Sequence, residues 1–85
     1  MKIEEKRNTL NDIESNIIFC DGFDEALIGY CDSFDKTIAI YDKEKIIEIL
    51  MNRENFTEDI AQEFYEFNII GAYTGELNPG FITYL

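Results

Sequence analysis

The sequence contains no histidine and only seven basic residues among its 85 residues. Without histidine, the chain lacks the commonest general base, the commonest zinc ligand and the usual partner of a serine or cysteine nucleophile. It also lacks both glycine-rich phosphate-binding patterns, Gly-x-Gly-x-x-Gly and Gly-x-x-x-x-Gly-Lys. In addition, a chain of this length rarely forms a cleft that could bind a substrate. We therefore expect a protein that is not an enzyme and needs no cofactor.

Long apolar runs are also missing, and no stretch of the sequence is long enough or apolar enough to span a membrane. The first residues have no apolar run behind their basic residues, so they do not resemble a signal peptide. We therefore expect a cytoplasmic protein, and no membrane partner. In that compartment Cys20 and Cys31 are expected to be buried, reduced thiols and not a disulfide.

What the chain does have is enough apolar material for a core. Hydrophobic residues make up 46 % of the chain and aromatic residues 14 %, which is too much for a disordered chain even at high net charge. We expect a polar segment over residues 1–15, which could form a helix, followed by one domain over residues 16–85. Because a domain of this size buries a low fraction of its surface, homodimer formation would help to stabilise it.

Three or four short strands are indicated by apolar and β-branched runs. Residues 16–20 could form one strand. Residues 26–31 and 37–41 look like a β-hairpin, in which Gly29 suggests a bulge or a close backbone approach. Residues 81–84 read as a final strand that could pair with the hairpin.

Two amphipathic helices are indicated between the hairpin and the final strand. Asp42 is a good N-cap for a helix over about 43–53, and Thr57 for a helix over about 57–70. The second helix has an apolar stripe that we expect to be its buried face: Ile60, Ala61, Phe64, Phe67 and Gly71. Together the elements predict an α+β fold, with a small antiparallel sheet of three to four strands and both helices packed on one face.

Charge is the strongest signal in the sequence, with 18 acidic residues, 7 basic residues and a net charge of −11. No basic residue occurs between Arg7 and Lys36, and none occurs after Arg53. Such a surface repels nucleic-acid phosphates, so direct binding of DNA or RNA is not expected. It attracts a basic protein surface and speeds association with it. The alternative is that the acidic residues only keep a small protein soluble.

Acidic and aromatic residues of the two helices form the candidate binding surface. Asp59, Glu63 and Glu66 lie at helical spacing on the side opposite the predicted apolar stripe. On the first helix, Glu44 and Glu48 share a face. Two tyrosines, Tyr65 and Tyr73, are candidate anchors because tyrosine suits interfaces with one apolar and one wet side.

Acidic loops offer a weaker candidate, a site for a hard cation such as Mg²⁺ or Ca²⁺. Five residues could take part: Asp21, Asp24, Glu25, Asp32 and Asp35. They do not match the calcium-loop pattern, which needs ligands at alternate positions and a glutamate at the twelfth. A solvated acidic loop is the interpretation we favour over a metal site.

Several segments, in the same order, resemble a family of small acidic hypothetical proteins that is frequent in bacteriophages and prophages. The resemblance covers about residues 17–82 and is carried by Asp-Gly-Phe-Asp-Glu-Ala-Leu-Ile-Gly (21–29), Ile-Tyr-Asp (40–42), Ile-Leu-Met (49–51), Phe-Tyr-Glu-Phe-Asn (64–68) and Gly-Ala-Tyr-Thr-Gly-Glu (71–76). Members usually carry Thr-Pro after Gly-Glu, whereas this chain has Leu77-Asn78-Pro79. The resemblance implies no known activity, but it implies a phage-like setting, and so the cytoplasm of a host cell.

Short acidic phage proteins are often inhibitors of host machinery. We therefore expect a protein that binds and inhibits or modulates a host protein with a basic surface. A nuclease or a CRISPR effector, bound partly by mimicry of nucleic-acid charge, is such a target. Two alternatives stay open: a metal-binding or regulatory domain that uses the acidic loops, and a structural homo-oligomer.

Overall fold

The computed structural model describes residues 2–72 and 75–85. Its helices and strands follow in the order α1 (Ile3–Ile13), β1 (Leu27–Ser33), β2 (Lys36–Asp42), α2 (Lys43–Glu54), α3 (Glu58–Phe64) and β3 (Gly80–Ile82). A π-helical segment (Tyr65–Ile69) and a 3₁₀ turn (Ile70–Ala72) continue α3, and another 3₁₀ turn (Asp24–Ala26) precedes β1. The fold is therefore α+β. Within the described ranges, no helix has the length and apolar character needed to cross a bilayer.

Strands β1 and β2 form the predicted antiparallel hairpin, with a tight turn at Phe34 and Asp35. The pairing register shifts between Leu27 and Gly29, so the irregularity that the glycine predicted is present. Residues 16–20, however, do not form a strand. Instead of joining a strand ladder, the backbone N–H of Cys20 donates a hydrogen bond to the hydroxyl of Tyr41, at 2.8 Å.

The sheet is mixed, so the prediction of an antiparallel sheet was wrong for its last strand. Strand β3 pairs with β2 in parallel, with Tyr41 opposite Phe81, and the strand order is β1-β2-β3. Parallel neighbours need a long crossover connection, and the chain between β2 and β3 supplies one, since it contains α2 and α3. This crossover brings β3 back in the same direction as β2.

One hydrophobic core joins the sheet to all three helices. Strand β2, the central strand, contributes two fully buried side chains, Ala39 and Tyr41. The helices contribute Leu10, Ile46, Ile47, Leu50 and Ala61, and the π-helical segment contributes Tyr65 and Ile69. That α2 and α3 lie on the same face of the sheet stays a prediction.

The N-terminal helix is tied to the domain by its two central basic residues. The Lys6 ammonium donates to the carbonyl of Leu27 at 2.9 Å, and the Arg7 guanidinium donates through Nε to Asp24 at 2.9 Å. Arg7 also lies 4.6 Å from the centre of the Phe19 ring, at cation–π distance. Helix α1 (Ile3–Ile13) therefore packs on the domain through Leu10 and these contacts.

The two cysteines form no disulfide in the structure. Cys20 is buried, as expected, but Cys31 is exposed. The expectation of burial was wrong for Cys31 because β1 is an edge strand of the sheet, and its residues from Tyr30 to Ser33 are all exposed.

Two buried tyrosines predict a loss of stability at alkaline pH. Burial raises the pKa of Tyr41 and of Tyr65 from 10.0 to about 12. The folded state therefore holds each phenolic proton more tightly than the unfolded chain does. Stability from this source is fully present below pH 10 and is lost as the pH rises towards 12. Urea unfolding followed by circular dichroism across this range should show the fall.

The control for this experiment is the Tyr65→Phe variant, which keeps the ring but has no proton to lose. Its free energy of unfolding should fall less steeply with pH than that of the natural protein. Equal slopes for the two proteins would contradict the assignment of the alkaline transition to Tyr65.

Candidate partner-binding surface

Helix α2 begins where the sequence predicted, because the Asp42 carboxylate accepts hydrogen bonds from the backbone N–H groups of Glu44 and Lys45. This start places Glu44 and Glu48 on the exposed side of the helix. Glu48 pairs with Lys45 at 3.2 Å, so its charge is partly offset. Among the described residues, no lysine or arginine lies within ion-pair distance of Glu44.

Helix α3 begins at the second predicted cap, where the Thr57 hydroxyl accepts from the backbone N–H of Ile60 at 3.3 Å. All three acidic residues of the predicted stripe, Asp59, Glu63 and Glu66, are exposed. None of them forms an ion pair with a described residue. This part of the surface therefore carries negative charge that the described chain does not neutralise.

Two aromatic residues of this segment, Tyr65 and Phe67, are placed opposite to the prediction, whereas Phe64 is partly buried against the core, as predicted. Tyr65, expected at the surface, is only 1 % exposed, whereas Phe67, expected in the core, is 73 % exposed. Tyr73, the other predicted anchor, lies outside the described residues. Tyr65 packs edge-on against Phe81, with ring centres 5.6 Å apart and planes at 89°. It is therefore part of the core and not of a binding surface.

The buried row of this segment differs from the predicted stripe. It runs at a constant spacing of four, through Ala61, Tyr65 and Ile69. From Tyr65 to Ile69 the helix is π-helical, and a π-turn contains more residues than an α-turn, so the phase of the side chains after Tyr65 differs from that of an α-helix. Phe67 is left on the solvent side, and Ile60, also predicted to be in the buried stripe, is 49 % exposed.

These placements create a surface that is both acidic and apolar. We call it the α3 face and define it by five exposed residues: Asp59, Ile60, Glu63, Glu66 and Phe67. An exposed aromatic ring beside unpaired carboxylates is typical of a binding surface, since aromatic residues are enriched at protein interfaces. Sequence reasoning missed Phe67, although Ala61, Tyr65 and Ile69 at spacings of four offered an alternative buried row.

A groove lies between α2 and α3, and its α3 side is lined by Glu58 and Gln62, which directly precede Asp59 and Glu63 of the α3 face. It has a volume of about 490 Å³, and its lining includes the side chains of Ile47 and Met51. Glu44, Glu48 and Glu58 add carboxylates to the lining. Lys43 also lines the groove, and its ammonium lies 5.3 Å from the centre of the Tyr65 ring. The lining of the groove is therefore partly apolar and carries a net negative charge.

The acidic loops are arranged differently from a metal site. The Arg7 guanidinium donates to Asp24 and, at 3.2 Å, to Asp21, and these contacts raise the pKa of Arg7, with the Asp24 hydrogen bond as the largest cause. Glu25 and Asp35 are exposed, and Asp32 accepts a hydrogen bond from the Thr37 hydroxyl at 3.0 Å. In residues 2–72 and 75–85, no group of three or more cysteine, aspartate or glutamate side chains is arranged so that it could hold a metal ion. These residues carry no metal proposal.

A scan against protein-family models, a search of curated proteins and a search of solved structures each returned no significant match. The resemblance to phage proteins therefore stays a prediction.

Proposed function

We propose that this protein works by binding another protein whose contact surface is basic. The observation that carries the proposal is the α3 face, where the carboxylates of Asp59, Glu63 and Glu66 lie exposed and have no cation partner among the described residues. Unpaired surface charge of one sign attracts a surface of the opposite sign and raises the rate of encounter.

The α3 face is better suited to directed binding than to solubility alone. Charged residues alone suffice for solubility, whereas interfaces combine apolar side chains with surrounding polar and charged ones. Here Phe67 is 73 % exposed and Ile60 is 49 % exposed on the same face as the acidic residues. In the complex, the Phe67 ring would be buried against the partner while the surrounding carboxylates meet its basic residues.

A nucleic-acid-binding protein is the class of partner that fits such a face. Proteins that bind DNA or RNA carry lysine and arginine side chains placed to neutralise phosphates. A row of carboxylates can occupy the same side chains and exclude the nucleic acid. We therefore propose that the protein is an inhibitor or modulator of a partner of this class, such as a nuclease or a CRISPR effector of a host cell.

Affinity capture from a cell lysate at low and at high salt tests this function. With the natural protein as bait, we expect a specific partner to be retained at low salt and released at high salt, because the attraction is electrostatic. A bait carrying Asp59→Asn, Glu63→Gln and Glu66→Gln is the matched control and should retain less of it. Retention of the partner that is equal for both baits and indifferent to salt would contradict the proposal.

A further inference from the structure

The groove between α2 and α3 has the two properties that a long basic side chain requires of its binding site. Ile47 and Met51 give it an apolar lining, and Met51, 36 % exposed, is accessible from solvent. Glu44 and Glu58 contribute carboxylates, one from each helix, and neither forms an ion pair with a described residue. Lysine and arginine side chains match these two properties, because each has an apolar stem that ends in a cation.

We infer that this groove takes a lysine or arginine side chain from a short basic and apolar segment of the partner protein. The stem lies along Ile47 and Met51, and the cation lies among the carboxylates of Glu44, Glu48 and Glu58. The unbranched methionine side chain can adjust to stems of different length, because its thioether is flexible and polarisable. The inference rests on the proposed function and names the chemistry that the partner presents next to the α3 face.

The charges in the groove favour arginine or lysine over an uncharged side chain. Three glutamates and one lysine are among the residues that line it. The ammonium of this lysine, Lys43, is held at cation–π distance from the Tyr65 ring. Glu48 is already paired with Lys45. Glu44 and Glu58 are therefore the carboxylates that are free to form charge-assisted hydrogen bonds with an incoming cation.

A second copy of this chain is a poor occupant for the groove. Each copy carries a net charge of −11, so two copies repel each other. Most of the basic side chains are also engaged within the chain, in contacts with acidic, aromatic or backbone groups: Lys6, Arg7, Lys43, Lys45 and Arg53. The cation that enters the groove is therefore expected to come from a different protein.

The test uses the full-length chain, labelled with ¹⁵N and with ¹³C at the methionine methyl groups, and a blocked peptide that alternates leucine and arginine. The sequence has two methionines, so the Met51 methyl signal is readily assigned. We expect the peptide to shift this signal and the amide signals of Glu44, Glu48 and Glu58. The same peptide with citrulline in place of arginine keeps the shape but loses the charge, and it should bind at least about tenfold more weakly.

Two variants and a matched control complete the test. Glu44→Gln with Glu58→Gln should weaken binding of the arginine peptide by about tenfold or more, whereas Glu25→Gln with Asp35→Asn, which removes the same charge elsewhere, should leave it unchanged. Met51→Lys places a cation in the groove from within and should also prevent binding. The spectrum of each free variant shows whether it is folded.

The site of the shifts separates this inference from the proposed function. Shifts confined to the α3 face would overturn the groove as the site of the basic side chain and would still support binding of a basic partner. A citrulline peptide that binds as tightly as the arginine peptide would also overturn the inference. Shifts at neither surface would count against both proposals.

Discussion

Replacing Tyr65 with alanine should cost about 3–5 kcal/mol of folding free energy, the range found when a large buried aromatic side chain is removed. The side chain is 1 % exposed and packs edge-on against Phe81 of β3. Whole domains are stable by only about 5–15 kcal/mol, and small domains lie towards the lower end. We therefore expect a large fraction of the variant to be unfolded at physiological temperature. Urea unfolding followed by circular dichroism measures the loss of stability.

Two neighbouring substitutions make this expectation specific. Tyr65→Phe keeps the ring against Phe81 and should retain most of the stability. Phe67→Ala removes a ring of similar size two residues further on, but this ring is 73 % exposed, so its loss should change the free energy of unfolding by no more than about 0.5 kcal/mol. If Tyr65→Ala and Phe67→Ala had the same stability, the assignment of Tyr65 to the core and Phe67 to the surface would be wrong.

Features set by neighbouring residues could be predicted from the sequence. The N-caps at Asp42 and Thr57 were predicted because a short oxygen-bearing side chain satisfies the first free backbone N–H groups of a helix, and both caps are confirmed. The hairpin followed in the same way from two β-rich runs around a polar turn, and Gly29 indicated the irregularity in β1. Each of these predictions depends on a few consecutive residues.

Features that depend on distant contacts could not be predicted in the same way. The direction of β3 is fixed by how the chain returns across the sheet after α3, which no local pattern encodes. Which side chains of the second helix face the core could not be predicted from a local pattern either. The apolar residues between 60 and 71 fit two different buried rows, and the structure buries the row that contains Tyr65, whose ring packs against Phe81 of the distant strand β3. The predicted stripe was therefore right for Ala61 and Phe64 and wrong for Ile60 and Phe67.

The candidate site likewise has one part that could be predicted from neighbouring residues and one part that depends on distant contacts. The exposed acidic residues Asp59, Glu63 and Glu66 could be predicted, because charged residues at helical spacing rarely face a core. The groove could not, since it forms where side chains of two helices meet. Glu58 was not among the predicted binding residues, although the structure places it in the lining of this groove.

Charge reversal on the α3 face should strongly slow association with the partner isolated by affinity capture. We expect Glu63→Lys with Glu66→Lys to lower the association rate constant by at least about tenfold, because electrostatic steering raises such rates by about 10–10³-fold. Both residues are exposed and form no ion pair with a described residue, so the variant should fold normally. Surface plasmon resonance at low and high salt measures the rate, and the difference from the natural protein should shrink at high salt.

The matched control is Glu25→Lys with Asp35→Lys, which gives the same net charge by changing two exposed residues outside the α3 face. If the attraction is directed, this control should associate much faster than the α3-face variant. If both variants slow association equally, the partner responds to the total charge of the protein and the α3 face has no special role. Unchanged rates in both variants would show that these charges do not steer association, and the charge-based proposal would then be wrong.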